Sequence, residues 1–265
     1  MKTLIAGVLV ALTLTVAAPV NAAPPTISPG QLTVGVSLPS AGFEVGVARG
    51  SHVIYAQGFD IDLALAVAKR LDLARVEFVQ SRFSSLFAPG KKPWDIAVAQ
   101  LTITSSRSRN VSFSQPYLTV DQGVLTAKNL SPVPHSLSAL RSLQLCALRD
   151  STGAAAAETR ITPQKPIIEP VDVPTLMQDL QNGPCQAVVY DAPTLGALKS
   201  LAPTYYGTFV GLIPTAEHYG IALPKGSPLL GPVNAALHTL TSDGTVQRLE
   251  NKWFSADLAK VPVLR

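Results

Sequence analysis

The order of apolar and polar positions along this chain switches repeatedly between a period of two and a period of 3.6, which sketches alternating strands and helices. Leu32-Thr33-Val34-Gly35-Val36 has the make-up of a short strand, and the small residues over 37–42 form a loop beyond its end. The glycine-punctuated stretch 43–57 suggests a hairpin. From Asp60 the spacing turns helical, with Ile61, Ala64, Leu65, Ala68 and Leu71 on one stripe. Asp60 is the expected N-cap, and Lys69 and Arg70 in the last turn suit the helix dipole. Strands are expected at 76–79, 94–99 and 122–127. A strand, a crossover helix and a further strand signal parallel pairing.

The pattern then restarts. A strand over 143–148 precedes an alanine-rich helix over 151–160, a short strand over 167–169 and a helix over 175–181 with Leu176 and Leu180 inward. The buried run Ala187-Val188-Val189-Tyr190 leads into a helix over 192–201. A last strand over 219–223 and helices over 229–241 and 244–253 close the chain. The expected architecture is α/β with two similar lobes, each a doubly wound, mostly parallel sheet. Residues 23–118 and 219–265 would make the first lobe, and 119–218 the second, inserted into it. Crossings near Thr119 and Tyr219 would form a two-strand hinge, with ligands in the cleft beyond the strand ends.

Composition changes this picture mainly at the start of the chain. Met1-Lys2, an apolar run over 4–16 and Val20-Asn21-Ala22 have the form of a secretory signal peptide over 1–22. An uncleaved anchor is the alternative, but a span needs about 20 apolar residues. No cysteine follows the run, which argues against a lipid anchor. The protein is therefore expected to be periplasmic or otherwise extracytoplasmic. The net charge of +4 comes from 21 Lys+Arg against 17 Asp+Glu, scattered without a basic run, so no nucleic-acid partner is expected. The four histidines are dispersed, and no metal or cofactor motif such as HExxH occurs. Spacing alone leaves Cys146 and Cys185 open between a bridge and two buried thiols.

Candidate chemistry concentrates over 94–117. The strand there runs into Leu101-Thr102-Ile103-Thr104, where hydroxyls alternate with aliphatics, and then meets Arg107 and Arg109. A guanidinium fork matches a carboxylate with two parallel bonds, which lysine cannot reproduce. Arg107 is the first candidate to hold a small carboxylated solute, and Arg109 competes with it.

GFDIDLALAVAKRL at 58–71, TIT-x-x-R at 102–107, FSQPY at 113–117, QAVVYD at 186–191, HYGIALPKGSPLL at 218–230 and DGTVQRLENKWF at 243–254 occur in order. The set resembles the extracytoplasmic solute-binding proteins of ABC importers, polar amino-acid-binding family (family 3), over nearly the whole chain after 22. The resemblance implies a type II periplasmic-binding-protein-like fold that closes over one ligand. It gives Arg107 the ligand's α-carboxylate, with Thr102 and Thr152 as further donors, and Asp191 the α-ammonium. Phe83 would pack on the ligand's side chain, and the Gln100 carbonyl would face the ammonium. It also brings Cys146 and Cys185 onto neighbouring strands, favouring a disulfide.

Simpler roles stand beside these. Thr152 opens a helix, whose unpaired N–H groups favour an anion, although Asp150 and Ser151 cap equally well. Asp191 could cap the helix that follows it, and Phe83 could be core. Ser40 and Asp150 complete the candidate site as departures: Ser40 stands where relatives carry an aromatic, and Asp150 where glycine is usual. Ser37 is not acidic, which weakens a lysine- or arginine-like ligand. The expected function is capture of a small carboxylated solute, first of all an amino acid, for delivery to an ABC permease, by a monomer without catalysis. The alternatives are a dehydratase-like enzyme on the same scaffold, with Asp150 or Glu217 as the acid, and a ligand-sensing adaptor for a membrane receptor.

Overall fold

A computed structural model describes residues 24–254 and 258–265; the expected signal peptide lies outside the described residues. Strand β1 (Gln31–Val36) leads to the hairpin of β2 (Val45–Arg49) and β3 (His52–Gln57), then to helix α1 (Phe59–Arg70), β4 (Arg75–Gln80), α2 (Phe83–Leu86) and β5 (Ile96–Ala97). A 3-10 turn, Arg107–Arg109, precedes β6 (Val111–Phe113) and the long β7 (Leu118–Thr126). Next come α3 (Leu137–Leu140), β8 (Leu145–Ala147), α4 (Thr152–Ala156), which runs on as a π-helical turn through Ile161, α5 (Val173–Asn182), β9 (Ala187–Asp191) and α6 (Ala192–Leu201). The chain closes with β10 (Phe209–Tyr219), β11 (Ala222–Pro224), α7 (Leu230–Ser242) and α8 (Thr245–Trp253).

Two sheets result, in the orders β2-β3-β4-β1-β5-β11-β6 and β10-β7-β9-β8. Both are α/β, as expected, but their pairing is more mixed than the mostly parallel expectation. β4, β1 and β5 are parallel, as are β8 and β9. The hairpin β2–β3 and the returning strands β10 and β11 pair antiparallel.

Each face of a sheet must be covered, and the burial follows. In α1 the inward residues are Phe59, Ile61, Leu63, Ala64, Val67 and Ala68, whereas Leu65 faces solvent. Gly58, at φ 134, caps this helix in place of Asp60, and a Cβ there would lie 2.0 Å from the Phe43 carbonyl oxygen. Phe43, Phe59, Tyr117, Tyr219 and Phe254 form an aromatic cluster, with neighbouring centroids 4.7–6.3 Å apart. β9 is buried on both faces. Val188 packs with Leu125, Leu176 and Leu180, and Val189 with Val124, Leu145 and Ile213, which explains its unbroken apolar run. Cys146 and Cys185 form a disulfide on the Val188 face, with Cα atoms 5.7 Å apart.

β7 and β10 are the strands that join the two halves. Leu118 pairs with Tyr219 and Thr119 with His218 near the first sheet, and the far ends of both strands belong to the second. β10 carries a bulge between Ile213 and Glu217, where Asp121 Oδ1 accepts from Thr215 N and Ala216 N at 2.9 Å each. The last residues do not stay with the first sheet, where the expected lobe division puts them. Val263 bridges Leu212, and Leu264 packs into the second core. The expected strand at 167–169 is reduced to one parallel bridge, Cys146–Ile168.

Candidate functional site

Arg107 lies on the 3-10 turn that follows the TIT segment and is 5% exposed. Its Nη1 donates to the Thr102 carbonyl and its Nη2 to the Asp150 carbonyl, each at 3.0 Å. The rings of Phe83 and Phe87 flank the guanidinium carbon at 5.1 and 4.5 Å, so the plane is held by cation–π contact. Arg109, the competing candidate, is exposed and donates to Ser106 Oγ. Asp150 has φ 60, the left-handed backbone that explains why glycine suits this position. The residue is exposed, and its carbonyl is what meets Arg107.

Thr102 and Thr152 come together from opposite sides. Both hydroxyls donate to Glu217 Oε2, at 2.7 and 2.6 Å. Gln122, on β7, donates from Nε2 to Asp191 Oδ1 at 2.5 Å and to Glu217 Oε1 at 3.0 Å, so one amide serves two carboxylates. Asp191 immediately precedes α6 but makes no capping bond; its carboxylate turns to Gln122 instead. Gly153 permits the approach of α4, because a Cβ there would fall 2.8 Å from Gln122 Oε1. Ser151, rather than Thr152, caps α4 through Ala154 N, which frees the Thr152 hydroxyl.

A second crossing involves Gln100, whose Nε2 donates to Ser40 Oγ at 2.6 Å and whose Oε1 accepts from Thr194 Oγ1 at 2.7 Å. Its backbone N–H donates to Asp60 Oδ2, and Tyr117 Oη donates to Asp60 Oδ1. Asp60, expected as a helix cap, is thus a fully buried anchor of the strand end. Phe83, expected on the ligand's side chain, is half-buried and packs on Phe87 and Arg107.

The electrostatics are lopsided. Glu44, Asp60, Asp191 and Glu217 are all buried, and Arg107 is the cation buried among them. Burial first, and then Glu217, push the Asp191 carboxyl up to about 7. Burial also lifts Asp60 to about 7, against the hydrogen bonds from Gln100 and Tyr117. Glu44 is raised by burial and by Asp60, and burial lowers Arg107. An open groove of about 420 Å³ borders the site along Thr102, Thr152, Glu217 and His218. A larger hollow of about 1040 Å³, between Lys91–Asp95 and Pro224–Leu229, contains none of the candidate residues. No metal-holding group of His, Cys, Asp or Glu occurs among the described residues, and no helix among them is long and apolar enough to cross a membrane.

Arg107, Thr102, Thr152 and Asp191 therefore converge with Gln100 and Ser40 around one junction, together with the Asp150 backbone. Gln122 and Thr194 were not singled out in sequence, and Glu217 entered only as a possible acid. An acid two residues before the Tyr-Gly of the last strand, beside a hinge crossing, was the available signal for Glu217.

Among proteins similar to this chain is the probable histidine-binding protein of Neisseria gonorrhoeae, 29% identical over 242 residues, with 89% of this chain and 88% of that protein covered. The ABC transporter arginine-binding protein 1 of Escherichia coli K12 is 28% identical over 240 residues, covering 84% and 90%. A crystal structure of the ancestral amino acid-binding protein AncCDT-1, a precursor of cyclohexadienyl dehydratase, superposes with a TM-score of 0.71 at 30% identity, covering 85% of this chain and 96% of that one. The family profile matches residues 32–256. With a two-sheet fold and a polar junction between the sheets already in place, this match assigns the chain to the bacterial extracellular solute-binding proteins, family 3.

Proposed function

We propose that this protein captures an amino acid between two hinged lobes outside the cytoplasm and delivers it to an ABC permease, acting as a monomer without catalysis. The observation that carries the reading is Arg107: buried, flanked by Phe83 and Phe87, and bonded to carbonyls on both sides of the junction. A carboxylate exchanged for those carbonyls gives the fork charged partners, and hydrogen bonds to charged groups are worth about 1.5–3 kcal/mol. Thr102 and Thr152 supply further donors, and Asp191 takes the ammonium.

The excess of buried acids points to an amino acid with an additional positive charge as the first candidate. The relatives described as histidine- and arginine-binding support the same class. Ser37, in the loop where an acid would have signalled such a ligand, matters less once Glu44 and Glu217 supply carboxyls at the junction.

The test is a thermal-shift screen of unfolded and refolded protein against the L-amino acids. L-arginine, L-lysine or L-histidine at a hundredfold excess over Kd should add about 2.7 kcal/mol, which raises the midpoint by roughly 5–10 °C. No shift with any amino acid overturns the reading. The relative described as a dehydratase precursor supports the catalytic alternative. Of its two suspected acids Glu217 alone is buried at the junction. Conversion of a small carboxylic acid overnight, followed by NMR, would favour that alternative.

A further inference from the structure

The large hollow beside the first sheet has a charge balance opposite to that of the junction. It measures about 1040 Å³ and opens where Asp95 precedes β5 and Pro224 ends β11. Gln100 and Thr102 follow the other end of β5, so the hollow and the junction lie at opposite ends of that strand. Ile27, Pro93, Trp94, Pro224 and Leu229 give the hollow apolar walls. Ile27 is 57% exposed, although its backbone N–H donates to Asp95 Oδ1 at 2.7 Å. A backbone bond thus keeps an apolar side chain at the rim, in contact with water.

Lys91, Lys92 and Lys225 line the same space, and among the described residues none of them pairs with a carboxylate. Asp95 is the acid of the lining, and both its oxygens are engaged by backbone, Oδ1 by Ile27 N and Oδ2 by Thr33 N at 2.8 Å. Lys92 is 6% exposed and donates to the Ser85 and Ala88 carbonyls, which leaves one of its three hydrogens over. Lys91 and Lys225 are exposed, and Lys225 reaches the Ser108 carbonyl.

We propose that this hollow is a second binding site, separate from the amino-acid cleft, for a small aromatic anion such as an arylcarboxylate or arylsulfonate. Mostly apolar walls with a few polar groups are the usual form of a small-molecule site. The ring lies against Ile27, Trp94 and the two prolines, and the acid group meets the lysines through charge-assisted bonds. An amino acid is a poor occupant, because its ammonium would face three cations and an acid with no free oxygen. The two sites therefore sort ligands by charge: the junction is rich in buried acids, the hollow in lysines.

Anilinonaphthalene sulfonate, which brightens on leaving water for an apolar site, is the probe. Titrated into refolded wild-type protein, it should bind saturably and less tightly as salt is added, since Lys91 and Lys225 are exposed. Lys91→Glu/Lys225→Glu should weaken this binding about tenfold. Absence of saturable binding overturns the proposal, and so does equal affinity in wild type and the double variant. A loss of probe binding in Arg107→Ala but not in the double variant puts the probe in the cleft and also overturns it. Calorimetry should show L-arginine or L-histidine binding the double variant as it binds wild type. A parallel loss there marks a general electrostatic effect and overturns the assignment. Should the thermal midpoint of the double variant fall, Lys91→Gln/Lys225→Gln removes the charges without reversing them and is judged by the same outcomes. Failure of the amino-acid reading, seen as no shift with any amino acid, leaves the probe titrations unaffected.

Discussion

Arg107→Ala should abolish most of the amino-acid affinity of this protein, a loss of about 2–5 kcal/mol, or roughly thirtyfold to several thousandfold in Kd. The size follows from burial. With Arg107 only 5% exposed, a carboxylate brought to it loses most of its water and depends on the fork for compensation. Truncation leaves the anion beside Asp191 and Glu217 without its cation. Arg107→Lys should recover little, because a point charge on a flexible stem matches neither the bidentate geometry nor the slot between Phe83 and Phe87. Arg109→Ala is the control: an exposed side chain bonded to Ser106 should leave the affinity unchanged. Titration calorimetry on refolded protein reads all three, and undiminished affinity in Arg107→Ala removes that residue from the site.

The second large effect concerns pH. Ligand-free protein should lose stability as pH rises from about 4 to beyond 7. Asp60 and Asp191 are held up to about 7 when folded, whereas unfolded aspartates titrate near 3.8. Between those values the folded chain keeps protons that the unfolded chain has released. The stabilisation is thus fully present below the unfolded pKa and disappears as pH climbs through the folded one. Denaturation midpoints at pH 5 and pH 8 measure it, and Asp191→Asn should flatten the profile by removing one of the two groups. A wild-type midpoint that does not fall over this interval contradicts the burial argument. The same linkage makes a cationic amino acid expel protons on binding, so its affinity should rise with pH through 7, visible as buffer-dependent heat in calorimetry.

Local pattern was enough to place most of this fold. The runs at 32–36, 76–79, 122–127 and 187–190 became strands because their apolar content exceeds what a loop can leave exposed. The long helices likewise lie close to their predicted positions. β10 was legible only at its final residue, since Gly211 and Pro214 interrupt the strand pattern and its identity depends on pairing with β7. The same dependence hid part of the site. Arg107 follows a strand end, and its place there is enough to nominate it, whereas Thr102, Thr152 and Asp191 are nominated by the family resemblance. Gln122, Glu217 and Thr194 acquire their positions from register, a bulge and the approach of α6, which no short window records. Asp60 departs from its capping expectation for a related reason. Its capping appearance is local, but the bonds from Gln100 and Tyr117 that define its role span 40 and 57 residues.

The return of residues 262–264 to the second sheet covers part of an edge that would otherwise be open to strand addition. β10 and β8 are the outer strands of that sheet, and an outer strand offers unpaired N–H and C=O groups to any neighbour. Leu212 donates to the Pro262 carbonyl and accepts from Leu264 N, while Ile168 pairs with β8 through bonds to Leu145 and Ala147. Single-residue bridges thus blunt both margins with very little chain. Without residues 261–265, β10 would be bared as a template for intermolecular strand addition.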